Sequence, residues 1–221
     1  MEVQILFEDK DLLLCWKPAG VPSQPDPSGQ PDLITALSGH RPFIRLIHRL
    51  DTPTGGIMAF GLSPKSTAKL CELVQDHDRF QKEYLAVLAQ TPAEDQGVLR
   101  DSLYHDKRTN KSFVTDGARK GSKEAVLDYR VLAKNHDGHA LVLVRLHTGR
   151  THQIRVQFAS RGFPLVGDGK YGSREKCPYI GLWAYRLTFP HPISGQTLSA
   201  ATKPNTTESP WNYFAEYINQ I

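Results

Sequence analysis

Short apolar runs separated by polar turns recur along the chain and predict strands. Residues 3–7 and 12–16 are apolar runs on either side of the polar residues 8–11, a pattern typical of two paired strands. The turn signal Asn135-His136-Asp137-Gly138 joins two later runs into a predicted hairpin. The later runs occupy residues 56–61, 84–89, 125–133, 140–146 and 183–189.

Capping signals predict helices between these strands. Ser63 can cap a helix that has Pro64 in its first turn and continues to about Asp76. Thr151 is the predicted N-cap of another helix, which runs to about Arg161. Shorter helices are predicted at residues 32–37 and 211–218.

The alternation of helices with hairpin strands predicts an α+β fold, in which a mixed and largely antiparallel β-sheet is flanked by helices and loops. The glycine-rich signatures of dinucleotide and nucleoside triphosphate sites are absent from the sequence. A parallel, doubly wound sheet is therefore the less favoured architecture. At 221 residues the chain is long enough for one large domain or two small ones.

The composition is that of an ordinary globular protein, with 39% hydrophobic and 23% charged residues. No stretch approaches the roughly 20 apolar residues of a membrane helix, and the N-terminus has no signal-peptide pattern. Cys15, Cys71 and Cys177 lack the spacing of a disulfide framework or a zinc site. We therefore expect a cytoplasmic protein without a bound metal.

The net charge of +4 is concentrated in one segment, residues 100–123, which holds seven basic and three acidic residues. Tyr104 and Phe113 lie among these charges, a mixture that suits phosphate contact and base stacking. The segment is either a mobile RNA-binding arm or a long solvated hairpin connection, and the sequence leaves both open. Its candidate phosphate contacts are Lys107, Arg108 and Lys111.

Asp51 is the first candidate for chemistry. Pro53 disfavours helical geometry at Thr52, and Gly55 and Gly56 permit unusual backbone angles before the next strand. A carboxylate on such a constrained turn can act as a nucleophile or base, or it can simply form a local Asx turn. Residue types at this position do not decide between the two roles.

Arg155 is the second candidate, because it falls near the first turn of the helix that Thr151 is predicted to cap. The positive end of the helix dipole disfavours a cation there, so a negative partner is expected. Asp51 is the attractive partner, since a bidentate pair would hold the carboxylate ionised and oriented. The alternative is a solvated arginine or a phosphate anchor.

Tyr84 introduces a strand and is either a core residue or a ring that stacks on a base. A metal site is disfavoured because the spacing of His147 and His152 does not match a zinc-binding helix. No Gly-x-Ser-x-Gly elbow is present, which disfavours a serine hydrolase.

In their order along the chain, these segments resemble the RluA family of RNA pseudouridine synthases. The motifs that carry the resemblance are Lys17-Pro18-Ala19-Gly20, His48-Arg49-Leu50-Asp51, Lys82-Glu83-Tyr84, Gly149-Arg150-Thr151-His152-Gln153-Ile154-Arg155, Gly162-Phe163-Pro164-Leu165-Val166-Gly167-Asp168 and Pro190-His191-Pro192. The resemblance implies a single catalytic domain over residues 1–221, with a cleft across the middle of its sheet.

The resemblance also implies roles for individual residues. It makes Asp51 the catalytic aspartate, Tyr84 the active-site tyrosine and Arg155 the residue that orients Asp51. Arg49 would insert into the RNA where the target uridine leaves, and Ile154 would wall the base pocket.

The implied reaction isomerises uridine in structured ribosomal or transfer RNA by base flipping, followed by cleavage and rejoining of the glycosidic bond. It requires no cofactor, and the expected partner is RNA alone, with the protein acting as a monomer and without a membrane or an obligatory protein partner. The competing interpretation is a non-catalytic RNA-binding protein on the same scaffold.

Three departures from the family pattern stand out. Gly55 occupies a position where relatives usually have serine, and Trp183 one where histidine is common. The chain also begins almost directly with catalytic-domain strands, so a preceding RNA-binding domain is not expected. RNA recognition would then depend on the cleft and its loops.

Overall fold

The computed structural model describes residues 3–39 and 41–221. The chain forms two compact units, each built from two segments. Unit 1 comprises Met1–Lys82 and Trp183–Pro204, and unit 2 comprises Glu83–Leu182 and Asn205–Ile221. The assignment of residues 1–221 to one catalytic domain stays a prediction.

Unit 1 holds six strands and two helices among its described residues. The elements are β1 (Ile5–Glu8), β2 (Leu12–Lys17), α1 (Leu33–Ser38), β3 (Arg45–Leu46), β4 (Gly55–Gly61), α2 (Pro64–Leu73), β10 (Leu182–Pro190) and β11 (Thr197–Ala201). Strand β2 pairs antiparallel with β1 and with β4, and β4 also pairs antiparallel with the short β3. Strand β10 pairs parallel with β4 and antiparallel with β11, which makes the sheet mixed.

Helix α2 begins as its capping signal predicts. The Ser63 side chain accepts from the backbone N–H of Ser66, and the Ser66 side chain accepts from the backbone N–H of Ser63. Pro64 occupies the first turn, where its missing N–H costs nothing. The helix ends at Leu73, a few residues before the predicted end at about Asp76.

Unit 2 contains an antiparallel sheet and two helices among its described residues. The elements are β5 (Gln81–Leu88, of which the first two residues belong to unit 1), β6 (Gln96–Asp106), β7 (Lys111–Thr115), β8 (Lys123–Lys134), β9 (Ala140–Leu146), α3 (Gln153–Ala159) and α4 (Ala215–Gln220). The strand order is β5, β9, β8, β6, β7. Helix α3 packs against β6 and β7, and Leu103, Ala125 and Val156 form a buried cluster of the sheet and helix.

The turn between β8 and β9 forms as its sequence predicts. The side-chain oxygen of Asn135 accepts from the backbone N–H groups of Asp137 and His139 at 3.1 and 2.9 Å. Gly138 has a φ of 86°, a left-handed conformation that glycine adopts without strain. The hairpin therefore owes its register to local turn chemistry.

The basic segment is a hairpin, which supports the second of its two interpretations. Tyr104 lies opposite Phe113, and His105 lies opposite Ser112, in the antiparallel ladder of β6 and β7. Asp106 fixes the turn by accepting from the backbone N–H of Arg108 at 2.9 Å. Exposed charges therefore project from the turn of a β-hairpin.

Helix α3 begins later than predicted, which corrects the assignment of Thr151 as its N-cap. His152 is the N-cap residue, with a left-handed φ of 56°, and its side chain does not cap the helix. The side-chain oxygen of Gln153 instead accepts from the backbone N–H of Arg150 at 3.0 Å and so stabilises the preceding turn. The helix ends at Ala159 rather than Arg161.

The remaining differences are in elements that carry weak sequence signals. Strands β3, β6, β7 and β11 were not predicted as strands, and the predicted terminal helix begins as a 3-10 turn at Trp211–Phe214 before α4. Across residues 3–39 and 41–221, none of the helices combines the length and the apolar character needed to cross a membrane. The predicted mixed, largely antiparallel α+β architecture is confirmed.

Candidate active site

Asp51 lies on a turn whose backbone is held on both sides. The N–H of Thr54 donates to the carbonyl of Asp51 at 3.0 Å, which closes the turn just before β4. The hydroxyl of Ser23 donates to the carbonyl of Leu50 at 2.9 Å and accepts from its N–H at 3.2 Å. Leu50 is buried, whereas Asp51 is partly exposed and Arg49 is exposed. The fold thus anchors the turn and leaves its polar side chains near the surface.

Lys17 ties this turn to the loop that follows β2. Its side chain is 0% exposed, and its ammonium donates to the carbonyls of Pro18, Val21 and Thr52 at 2.9, 2.5 and 3.3 Å. The N–H of Gly20 also donates to the carbonyl of Thr52, at 2.8 Å. Three carbonyl acceptors match the three N–H donors of an ammonium group.

Two opposing effects act on the pKa of Lys17. Burial outweighs the opposing negative charge of Asp51, so the pKa of Lys17 is lowered to about 7. The effect of Asp51 indicates that the Lys17 ammonium lies close enough to interact with its carboxylate. Nothing in the local sequence around Lys17 predicted this contact.

Strand β10 lies closely against the two glycines that follow the turn. Trp183 is opposite Gly55 and Ala184 is opposite Gly56 in the parallel pairing. A Cβ atom on Gly56 would lie 2.2 Å from the carbonyl oxygen of Ala184, so only glycine fits there. The indole N–H of Trp183 donates to the carbonyl of Thr202 at 2.8 Å.

His48, two residues before the buried Leu50, is a neutral structural residue. Its Nε2 accepts from the backbone N–H of Ala59 at 3.1 Å, which requires an unprotonated nitrogen. Burial and, to a smaller extent, the positive charge of Lys82 lower the pKa of His48 to about 3. The ring therefore fastens the segment before Asp51 to β4.

In unit 2, Arg155 forms a buried bidentate ion pair with Asp168. Its Nε donates to Oδ2 at 2.7 Å and its Nη2 donates to Oδ1 at 2.9 Å, and the side chains are 6% and 1% exposed. Arg155 is the third residue of α3, where the helix dipole disfavours a cation. The expected compensating carboxylate is thus present. The pairing of Arg155 with Asp51 stays a prediction.

Asp168 reaches this position from a tight turn. Its N–H donates to the carbonyl of Leu165 at 3.0 Å, and Gly167 has a φ of 79°. A Cβ atom on Gly167 would lie 2.8 Å from the carbonyl oxygen of Tyr179. The dipeptide Gly167-Asp168 signals a turn in the sequence, but it does not identify the partner of the carboxylate.

Tyr84 and Ile154, the other predicted site residues of unit 2, are largely buried. Tyr84 lies in β5 opposite Val144 and is 8% exposed. Ile154 is the second residue of α3 and is 4% exposed. Their predicted roles at a uracil ring stay predictions.

The three predicted RNA-binding cations of the hairpin differ in their surroundings. Lys107 and Arg108 are exposed in the turn between β6 and β7. Lys111 is partly buried, and its ammonium lies 5.3 Å from the centre of the Tyr171 ring and 5.7 Å from that of Phe113. Lys107 and Arg108 are therefore the freer phosphate ligands, whereas Lys111 also contributes to packing.

Among residues 3–39 and 41–221, no group of three or more histidine, cysteine or carboxylate side chains is arranged to hold a metal ion. Within unit 2, Tyr171 joins several of the polar groups, and sequence reasoning assigned it no role. Its ring centre lies 5.1 Å from the guanidinium carbon of Arg155.

Comparison with known proteins identifies the family of the chain. The sequence profile of the RNA pseudouridylate synthases matches residues 11–160. A protein of Aquifex aeolicus described as an uncharacterized RNA pseudouridine synthase is 32% identical, with 97% of this chain and 74% of the relative covered. A protein of the same description from Zymomonas mobilis is 33% identical, with 94% and 93% covered.

A third relative is the ribosomal large subunit pseudouridine synthase D of Xanthomonas campestris, which is 32% identical over 90% of this chain and 65% of its own length. Among solved structures, human RNA pseudouridylate synthase domain containing 1 has a TM-score of 0.79 at 24% identity. That match covers 95% of this chain and 86% of the human chain and shows a shared fold.

The chain belongs to the RNA pseudouridylate synthase family, and its RluA-type resemblance is confirmed. It is an RNA pseudouridine synthase, an isomerase that converts uridine in RNA to pseudouridine. These comparisons favour the enzyme over the non-catalytic RNA-binding protein.

Proposed function

We propose that Asp51 is the catalytic carboxylate of this enzyme, with Tyr84 and Arg155 as its other catalytic residues. The observation that carries the proposal is the anchoring of the Asp51 turn. Lys17 and Ser23 bind the backbone on either side of Asp51, while the residue itself stays partly exposed. A carboxylate held in this way pays little reorganisation cost when a substrate arrives.

The reaction breaks the N1–C1′ bond of uridine and forms a C5–C1′ bond. C5 loses its hydrogen to solvent and N1 gains one, so atoms and electrons balance without an external reactant. Asp51 can attack the sugar, attack the uracil ring or remove a sugar proton, and each role requires an ionised carboxylate. No cofactor takes part in any of these routes.

We propose further that Arg49 contacts the RNA beside the target uridine. A uridine in a stacked strand must leave the stack before its glycosidic bond can be reached, at a cost of a few kcal/mol. Arg49 is exposed and two residues from Asp51, so its guanidinium can occupy the space that a departing base leaves. Ile154 would contact the flipped base.

Structured ribosomal or transfer RNA is the proposed substrate, with Lys107, Arg108 and Lys111 as phosphate contacts. The name of the Xanthomonas campestris relative favours ribosomal RNA. We place the enzyme in the cytoplasm, since its three cysteines lack disulfide spacing and that compartment holds both RNA classes. A monomer is the proposed state.

The deciding experiment measures tritium release from RNA labelled at C5 of uridine, because formation of the C5–C1′ bond expels that hydrogen. The RNA is extracted from source cells in which the gene is deleted. We expect Asp51→Asn to lose at least about 100-fold in rate. Asp137→Asn, at an exposed aspartate in the β8–β9 turn, is the matched control and should retain full activity.

Two outcomes contradict the proposal. Full activity in Asp51→Asn would remove Asp51 from the chemistry. Absence of product from the unmodified enzyme on all cellular RNA would favour an RNA-binding role alone.

A further inference from the structure

Tyr171 connects the β6–β7 hairpin with the start of α3. It ends the short 3-10 turn Gly169–Tyr171, which follows Asp168 directly. Its hydroxyl accepts from the backbone N–H of Ser112 at 2.8 Å and lies 2.9 Å from Nδ1 of His152. One phenol thus contacts a strand of the hairpin and the residue that precedes α3.

The N–H of Ser112 must be the donor to Tyr171, because a backbone N–H cannot accept. The phenol hydrogen is then available for Nδ1 of His152 when that nitrogen carries no hydrogen. Burial raises the pKa of Tyr171, which keeps the phenol hydrogen in place. The phenol thus accepts from the hairpin and contacts the residue that precedes α3.

Ser112 makes a second connection between the same elements. Its hydroxyl donates to the carbonyl of Thr151 at 2.6 Å and lies 3.2 Å from Nδ1 of His105. Ser112 is 1% exposed, although its neighbour Phe113 on the opposite face of β7 is 40% exposed. The inner face of the hairpin is thus fixed to the residues that lead into α3.

The ring of Tyr171 also lies near two cations of different proposed roles. The Arg155 guanidinium carbon is 5.1 Å from the ring centre, and the Lys111 ammonium is 5.3 Å from it. Both distances are within the range of favourable cation–π contact. A displacement of the ring would therefore change its contacts with Arg155 and with Lys111 of the hairpin.

The backbone conformation of His152 depends on this network. Its left-handed φ of 56° is unfavourable for a residue with a Cβ atom, so surrounding contacts must hold it. The hydroxyl of Tyr171 is one such contact, and Arg155 follows three residues later in the first turn of α3.

We propose that Tyr171 is a positioning residue that couples RNA binding by the β6–β7 hairpin to the placement of Arg155. The proposal rests on the proposed function, in which the hairpin binds RNA and Arg155 acts in catalysis. RNA contact with Lys107 and Arg108 restrains the hairpin, and the bonds of Ser112 to Tyr171 and Thr151 carry that restraint to the first turn of α3, which holds Arg155 in its active position.

The test uses single-turnover tritium release with the full-length enzyme in excess over the C5-labelled cellular RNA. Varying the enzyme concentration separates the saturated rate from the concentration that gives half of it. Tyr171→Phe keeps the ring and removes the hydroxyl. We expect its saturated rate to fall about 10-fold, with the half-saturating concentration changed by less than about twofold.

Coupling is measured by combining Tyr171→Phe with Lys107→Ala/Arg108→Ala. The hairpin variant Lys107→Ala/Arg108→Ala should have a lower saturated rate and a lower RNA affinity than the unmodified enzyme. The combined variant should have the same saturated rate as the slower of the two variants that it combines. Lys65→Ala/Lys69→Ala, at exposed lysines of α2, is the control and should leave the saturated rate unchanged. Thermal unfolding of each variant confirms that the folded fraction is the same.

Three results would overturn the coupling: an unchanged saturated rate in Tyr171→Phe, an unchanged saturated rate in the hairpin variant, or losses that multiply in the combination. If Tyr171→Phe does not fold, Ser112→Ala replaces it in the same cycle, since it removes the bonds to Thr151 and His105.

An inactive unmodified enzyme would instead contradict the proposed function. Amide hydrogen exchange then tests the coupling alone, because RNA should slow exchange at Ser112 and Gln153 in the parent and only at Ser112 in Tyr171→Phe.

Discussion

Trp183 fills the space that a side chain on Gly55 would occupy, since a Cβ atom at residue 55 would lie 2.3 Å from Cζ3 of the indole. The backbone of Gly55 does not have a positive φ, so it is the indole of Trp183, and not the backbone conformation, that requires a glycine at this position. The indole of Trp183 and the absence of a side chain at residue 55 are therefore sterically linked beside the Asp51 turn.

Gly55→Ser should destabilise the protein by about 1–3 kcal/mol, because the new side chain overlaps the indole. Trp183→His should cost a similar amount, through lost burial and the lost bond to Thr202. The double variant should recover about 1–3 kcal/mol relative to the sum of the single changes. Urea unfolding of the four proteins measures this interaction energy.

The control for this cycle is Gly39→Ser. Gly39 has a φ of −54°, and a Cβ atom there would meet no other atom within 4 Å. Its substitution should change the free energy of unfolding by less than about 0.5 kcal/mol. Strict additivity of Gly55→Ser and Trp183→His would show that the two residues are independent.

Arg155→Lys should lower the saturated rate by about 100-fold or more while changing RNA affinity less than about threefold. Lysine keeps the charge but cannot form both bonds to Asp168. Single-turnover rates and filter binding on the same RNA separate the two effects. Arg161→Lys is the control, since Arg161 makes the same kind of bidentate pair with Asp101 but is itself exposed. A loss confined to RNA affinity would instead make Arg155 a phosphate anchor.

Local chemistry was sufficient to predict much of the fold. The cap of α2, the Asn135 turn and the antiparallel hairpins all depend on residues that are close in sequence. The start of α3 was missed because the two residues before it are held by contacts from distant parts of the chain. Ser112 binds the Thr151 carbonyl and Tyr171 contacts His152, and both partners are far away in the sequence.

The same distinction applies to the candidate site. Helix electrostatics predicted that Arg155 needs a carboxylate, and Asp168 supplies one from 13 residues further along the chain. Which carboxylate does so depends on the turn at Gly167, and no local pattern encodes that choice. Lys17 was likewise unpredictable as an anchor, because its acceptors include the carbonyl of Thr52, 35 residues away.

His48 should make stability depend on pH below neutrality. Its pKa of about 3 in the folded protein lies below the ordinary value of 6.5, so the unfolded chain binds a proton that the folded chain does not. The contribution of His48 is complete above about pH 6.5 and is lost as the pH falls toward 3, at up to about 1.4 kcal/mol per pH unit.

His48→Gln tests this dependence, because glutamine can still accept from the Ala59 N–H but does not titrate. Urea unfolding at pH 7.5, 6.0 and 5.0 should show that the parent loses stability faster than the variant as the pH falls. His136→Gln, at an exposed histidine, should follow the parent at every pH. Parallel curves for parent and His48→Gln would contradict the assignment of a low pKa.

The exposed cations at the hairpin turn should determine part of the salt dependence of RNA binding. Each phosphate contact contributes about 0.7–0.9 to the slope of log K against log salt concentration. Lys107→Ala/Arg108→Ala should therefore weaken binding and flatten the slope by about 1.4–1.8. Lys111 is better left intact in this test, because its ammonium also contacts the Tyr171 ring. The control Lys65→Ala/Lys69→Ala removes the same charge from α2 and should have the same slope as the unmodified protein. If the hairpin variant also has that slope, this turn is not part of the RNA interface.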